Sequence, residues 1–193
     1  MARPRAFDEE SVLDNAMNVF WHKGFEGTSV QDLVDETGLN RASMYASFGD
    51  KKALFLRVLD HYTLKISAVR FAKLIEMPDG RQAICETFHD MIKSGLTDGR
   101  NKGCLMVNSG MELAPHDADT ATLARQSFKR IELLFVDALV RAQAQKNISE
   151  GKNTRALARF LAGSAQGLQL MARRAADEAT MRDFVDVTLS TLD

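Results

Sequence analysis

The chain has 193 residues, of which 45% are hydrophobic and 26% charged, with a formal net charge of −1. This length and composition exclude extended disorder and remove any need for a disulfide or metal staple. The near-neutral balance excludes a polycation that coats nucleic acid non-specifically, but not a small, locally charged DNA-binding surface.

Arg3 and Arg5 open the chain, but Asp8, Glu9 and Glu10 follow with no apolar core, so no signal peptide is expected. Asp8 suits the N-cap of a first helix, Glu9 and Glu10 suit its positive end, and Phe7 is expected to staple onto Val12. Leu13, Ala16, Met17 and Phe20 recur at helical spacing. Gly24 is placed to end this helix in a left-handed conformation, with Phe25 folding back on Phe20. Thr28, with Gln31 three residues on, reads as a capping box for a short second helix whose apolar face is Val30, Leu33 and Val34. Gly38 stops it. Asn40 caps a third helix from Arg41 to about Phe48, with Met44 and Phe48 inward, Arg41, Ser43 and Ser47 outward, and Tyr45 at the margin. Gly49 and Asp50 break and re-cap the chain before a longer helix that carries Leu54, Leu56, Val58, Leu59 and Tyr62.

Pro78-Asp79-Gly80 is the clearest punctuation, and the main boundary region is placed just before it. Four helical patterns follow. The first is marked by Ile84, Phe88, Met91 and Ile92. A short one from Leu105 to Leu113 is ended by Pro115. The last two run through Leu123, Phe128, Ile131, Leu134, Phe135 and Leu139, and through Leu157, Phe160, Leu161, Leu168 and Met171. A last short helix holds Phe184, Val185, Thr188 and Leu192. Nothing alternates with a period of two, so the expected fold is all-α. No stretch approaches the roughly 20 apolar residues of a membrane span, and a cytoplasmic location is expected.

Two short helices joined by a Gly-containing turn and braced by a longer helix describe a helix-turn-helix. The second helix must enter the major groove with a polar or small outer face. From Thr37 to Gly49 there is one charged residue, Arg41, and no acid; Lys51 and Lys52 then outnumber Asp50. The overall acidity is thus kept off the surface that an anionic duplex would meet. Ala42, Ser43, Ala46 and Ser47 are small enough for backbone and base edges to come close.

The run AMNVFWHKGFEGTSVQDLVDETGLNRASMYASFGDKKAL, Ala16 to Leu54, resembles the N-terminal domain of TetR-family transcriptional regulators. The Gly-Phe after the first helix, the Thr-Ser-Val opening the second and the Gly-Leu turn carry the resemblance. So do the Met-Tyr-x-x-Phe of the third helix and the Asp-Lys-Lys-x-Leu that follows. Gly103 to Asp117, GCLMVNSGMELAPHD, is similar to a segment of one branch of the family. The resemblance implies a helix-turn-helix domain over 1–52 and a helical ligand-binding and dimerisation domain over 53–193. It implies a repressor without enzymatic activity or cofactor, which binds a palindromic double-stranded operator as a homodimer and is released by a small-molecule inducer. It also implies site roles. Thr28 and Lys51 would contact phosphate. Arg41 and Ala42 would begin the helix that reads base edges. Ser43 and Tyr45 would contact phosphate or bases, with Ser47 a further contact. Ala42 and Ala46 offer only apolar contact, so readout rests heavily on Arg41. Arg3 and Arg5 would reach the flanking minor groove.

Phe88, Met91, Met106, Met111 and Phe128 are candidates to line an inducer pocket, although Met and Phe at helical spacing are usually core. Gly163 and Gly167, four apart with Ser164 and Ala165 between them, allow close helix approach. With Met171 and Phe184 they are expected in a two-fold four-helix interface, the competing reading being close packing inside one subunit.

Cys104 follows Lys102 and Gly103 at a helix start, where a thiolate is favoured, so a thiol sensor of oxidants or electrophiles is an alternative function. Its competitor is a small buried hydrophobe, a reading that Cys85 fits better. Glu112 and His116, four apart, raise a metal-dependent enzyme as a rival class. Pro115 is expected to end that helix, and a lone pair lacks the three or four ligands a site needs, so no metal is assigned. No phosphate loop, nucleophile elbow or zinc-protease motif is present.

Overall fold

A computed structural model describes residues 7–97 and 102–193. Helix α1 (Glu9–Lys23) starts at Asp8, whose carboxylate accepts the Glu10 N–H, and ends at Gly24 with φ of 75°. Its core face is Val12, Leu13, Ala16, Met17, Val19, Phe20 and Trp21. Phe25 does return onto Phe20, with ring centroids 6.2 Å apart. Phe7 packs against the core that includes Val12, and its ring lies 6.1 Å from that of Phe48.

Helix α2 (Val30–Thr37) begins one residue later than its sequence suggested. The capping box is Ser29 with Asp32, not Thr28 with Gln31. Thr28 is turned inward, 1% exposed, and its hydroxyl donates to Gly24 O at 2.6 Å. Ser29 therefore takes the extended N-cap backbone, and Gln31 donates instead to Asp35 at 2.7 Å. Gly38 closes α2 in the left-handed region, and Asn40 opens α3 (Arg41–Phe48) by accepting the Ser43 N–H at 2.8 Å. Asp50 caps α4 (Lys51–Tyr62). The chain then passes through a π-helical turn (Thr63–Ser67), α5 (Ala68–Arg70) and α6 (Lys73–Glu76). The remaining helices are α7 (Gly80–Thr97), α8 (Leu105–Leu113), α9 (Ala118–Ala144), α10 (Thr154–Arg173) and α11 (Glu178–Ser190). No strand occurs among the described residues.

Two apolar cores result. The larger joins α6, α7, α9, α10 and α11 around Phe88, Phe135, Leu139, Leu161 and Leu168. Gly80 is essential to its tightness: a Cβ there would lie 2.0 Å from the Ala138 carbonyl oxygen, so only glycine lets α7 start against α9. The second core is built by α1 to α4, and it also takes Leu105, Met106 and Leu113 of α8 and Ala124 of α9. The division expected at 52/53 falls in the first turn of α4. That helix buries Leu54, Phe55, Val58, Leu59 and Tyr62 with α1. Each such side chain contributes about 1.5–3 kcal/mol by leaving water. The N-terminal helices thus share one core with α8, and a change in α8 is felt at α1 and α4 directly.

Candidate nucleic-acid interface

Helix α3 is held from below and open above. Met44 and Phe48 are 3% and 5% exposed and anchor it to α1 and α4. The Arg57 guanidinium lies 5.3 Å over the Phe48 ring and is ion-paired to Glu9. On the other side Arg41, Ala42, Tyr45 and Ala46 are exposed, and Ser43 and Ser47 are half-buried at the edges. Arg41 has no hydrogen bond or ion pair among the described residues. A guanidinium in that position keeps all five donors for an incoming acceptor.

Two acids of α2 have partners within the domain. Asp32 accepts from Lys23 Nζ at 2.6 Å and from the Ser29 N–H at 2.8 Å. Lys23 first, and then Ser29, hold its carboxyl down at about 2. Asp35 takes the Gln31 amide. Within α3 itself Arg41 is the one charged residue, and it is positive.

Two expected phosphate contacts are placed differently. Thr28 is buried and its hydroxyl is used, so its side chain faces the protein interior. Lys51 Nζ donates to the carbonyls of Phe25 and Thr28, both at 2.9 Å, and sits 4.2 Å over the Phe25 ring. The start of α4 faces the end of the α1–α2 loop, so the nearest acceptors for this ammonium are loop carbonyls. Arg3 and Arg5 lie outside the described residues.

The α1–α2 loop is also gripped from the regulatory side. Glu112 of α8 accepts the backbone N–H of Phe25 at 3.0 Å and of Glu26 at 2.9 Å. Lys52 of α4 is ion-paired with Asp117, the N-cap of α9, and donates to Thr120 Oγ1 at 2.9 Å. The Lys52 ammonium, with the Thr120 N–H, holds the Asp117 carboxyl down at about 2. Trp21 Nε1 donates to the Lys102 carbonyl at 3.1 Å, and Arg173 of α10 donates to that same carbonyl at 3.2 Å. In the sequence, Glu112 stands out only as a candidate metal ligand four residues before His116. Its carboxylate is taken up by the loop, and His116 lies exposed beyond Pro115. Among the described residues no three His, Cys, Asp or Glu are grouped to hold a metal ion.

Of the five pocket candidates, Met106 and Phe128 line a narrow cavity between α5, α8, α9 and α10. Phe88 and Met91 are 0% and 1% exposed and belong to the larger core, because α7 turns them toward α9 and α10. Met111 is 65% exposed, since the side of α8 opposite to it packs on α1 and α4. Cys104, half-buried at the N-cap of α8, lines the same cavity. Its Sγ accepts from the Tyr62 hydroxyl at 3.2 Å, and that oxygen accepts from Arg70 Nη1 at 2.9 Å. Burial pushes the Tyr62 phenol well above its ordinary value. Burial also raises the Cys85 thiol.

On the far side of the molecule, α10 and α11 present Phe160, Leu170 and Val187 at 47%, 39% and 69% exposure. Gly163 is exposed beside them, and a Cβ there would touch nothing within 4 Å. A Cβ on Gly167 would lie 3.4 Å from Phe184 Cζ, an ordinary contact distance within the subunit. Met171 and Phe184 are half-buried next to it. No helix among the described residues is long and apolar enough to cross a membrane.

A short recognition helix with a free arginine, braced on two helices and locked to a larger helical body, defines a helix-turn-helix DNA-binding regulator. Comparison with known proteins agrees along the whole chain. The family model for bacterial regulatory proteins of the tetR family matches residues 12–58, and that for the tetracyclin repressor-like C-terminal domain matches residues 80–188. The uncharacterized HTH-type transcriptional regulator YezE of Bacillus subtilis (strain 168) is 35% identical over 194 residues, covering 100% of both chains. The HTH-type transcriptional repressor ComR of Escherichia coli (strain K12) is 31% identical, over 97% of this chain and 90% of its own. A cysteine mutant of the TetR family regulator CifR, solved on 26-bp operator DNA, superposes with a TM-score of 0.88 at 27% identity, covering 99% of this chain and 100% of that one. The chain belongs to the TetR family of transcriptional regulators.

Proposed function

We propose that this regulator is a repressor that holds its operator as a homodimer and releases it when a small molecule enters the regulatory half. The observation that carries the reading is Arg41, exposed and unpartnered on a helix whose other face is fixed by Met44 and Phe48. In this reading Arg41 reads a base, Ala42 gives apolar contact, and Ser43, Tyr45 and Ser47 meet bases or phosphates. Residues 1–52 contact DNA and residues 53–193 regulate and dimerise, with α4 as the joint between them. Lys51 and Thr28 act by shaping the loop that presents α2 and α3. The role is regulation rather than catalysis, exercised in the cytoplasm. ComR carries the name of a repressor, and CifR was solved on its operator; both support the same role here.

The mechanism is a population shift: an inducer prefers the state in which two recognition helices are wrongly spaced for successive major grooves. Glu112 and Lys52 are the links by which α8 and α9 would move the reading head. Footprinting on the chain's own upstream region tests the reading. It should show two protected half-sites related by a two-fold axis, and a pattern without symmetry would contradict the dimeric mode.

A second reading rests on Cys104, which lies on the cavity wall and touches Tyr62 of α4. Modification of this thiol would wedge α8 from α4. Under that reading an oxidant or quinone releases the wild type from DNA and spares Cys104→Ser. Equal responses of the two proteins would contradict it.

A further inference from the structure

The cavity under α5 is lined in part by polar side chains. Ser67, Ser127 and Gln169 are 8%, 7% and 6% exposed and line it. None of their side chains makes a hydrogen bond among the described residues. Arg70 lines the same cavity, donates to the Tyr62 hydroxyl, and pairs with no carboxylate among the described residues. A partly buried guanidinium without a counter-charge is costly. Phe71, Met106 and Phe128 give the same cavity an apolar lining. The open space is about 20 Å³, room for one water.

We propose that this cavity binds a small monocarboxylate with an apolar tail, its carboxylate held by Arg70 and its tail against Phe71, Met106 and Phe128. The inference rests on the reading that the regulatory half takes an inducer, and it names that inducer's class. Three observations set the class. One guanidinium neutralises one charge, and no second cation lines the cavity, which favours a monoanion over a phosphate dianion. The planar fork of an arginine matches a planar carboxylate with two parallel hydrogen bonds. The apolar wall would reject a fully hydrated anion, so the molecule needs a hydrocarbon part. Because the cavity's open space is small, the tail must displace neighbours, and the flexible Met106 of α8 is the adaptable one. Entry of the ligand therefore strains α8, the helix whose Glu112 grips the reading head.

Calorimetry on the full chain without DNA tests this, with benzoate and hexanoate as probes and their primary amides as uncharged controls. Both carboxylates should bind the wild type at least about tenfold more tightly than the amides, the value expected for a charge-assisted pair. Arg70→Gln should remove that preference. Ser127→Val, which keeps the guanidinium and fills the cavity, should weaken acid and amide together. Equal affinity for acid and amide, no binding of either acid at millimolar concentration, or undiminished binding by Arg70→Gln would overturn the proposal. Carboxylates that bind through Arg70 but leave operator affinity unchanged would uphold the site and contradict the inducer reading. Release of the operator by a neutral compound, with no carboxylate binding, would do the reverse.

Discussion

The Phe25 backbone N–H donates to Glu112 Oε2 at 3.0 Å, across 87 positions of sequence, and this bond joins the reading head to the regulatory helices. The Glu26 N–H occupies the other carboxylate oxygen at 2.9 Å. The two amides belong to the loop whose carbonyls hold Lys51, so α8 and α4 grip one loop from opposite ends. Glu112→Ala should lower unfolding stability by about 1–3 kcal/mol, the range for hydrogen bonds to a charged acceptor. It should also weaken the link between inducer and operator binding. A thermal melt that matches the wild type would remove Glu112 from this role.

Asp117 gives a pH dependence of definite sign. Its folded carboxyl is held at about 2 by Lys52 and the Thr120 N–H, below its ordinary value of 3.8. A depressed carboxyl stabilises the folded state above its unfolded pKa, and that stability is lost as protons bind. The contribution is thus complete above about pH 4–5 and disappears as pH falls toward 2. Asp117→Asn keeps an N-cap for α9 but loses the ion pair. Its melting temperature should fall less steeply than that of the wild type between pH 5 and about 2, a range set by these values. Parallel curves would contradict the assignment.

Lys51→Ala should behave as a loop-bracing mutant. Two hydrogen bonds from an ammonium and its contact with the Phe25 ring are lost, about 1–3 kcal/mol in chemical denaturation. The salt slope of operator binding should be nearly unchanged, whereas loss of a free phosphate contact would reduce it by about one. A reduced slope with unchanged stability would show that Lys51 swings out to meet DNA.

Gly163 separates dimerisation from folding. A Cβ there meets nothing within 4 Å inside the subunit, so Gly163→Leu should leave the subunit folded. On the face shared with Phe160, Leu170 and Val187 it should block close approach of a second copy. Sedimentation should then show a dimeric wild type and a folded monomeric variant with weakened operator binding. A dimeric Gly163→Leu would place the interface elsewhere. Gly167→Leu is less informative, because its side chain would also meet Phe184 in the same subunit.

The elements with local signals were legible in the sequence. Asp8, Asn40 and Asp50 cap α1, α3 and α4 because a short acceptor side chain beside an apolar repeat has one use, and Gly38 takes the left-handed turn only glycine enters freely. Where two neighbours offer the same chemistry, local reasoning fails. Thr28 and Ser29 both cap helices, and burial of Thr28 under Gly24 decides between them. Roles set by distant partners were not legible either. Lys51 is engaged by carbonyls 23 and 26 residues away, and Glu112 by amides 86 and 87 away. Arg70 lay in no motif, and only the fold sets it against a cavity with polar and apolar walls. Met111 shows the limit of periodicity: in a nine-residue helix, the side that meets α1 is fixed by tertiary contact.

The central claim is that Arg41 reads sequence from an otherwise apolar and small-residue face. Fluorescence anisotropy of wild type and Arg41→Ala on operator DNA, and on a scrambled duplex of equal length, tests it most directly. The account predicts a loss of about 1–3 kcal/mol on the operator, with relaxed preference at one position of each half-site and little change on the scrambled duplex. Equal losses on both duplexes would make Arg41 a phosphate contact and contradict its role as the reader.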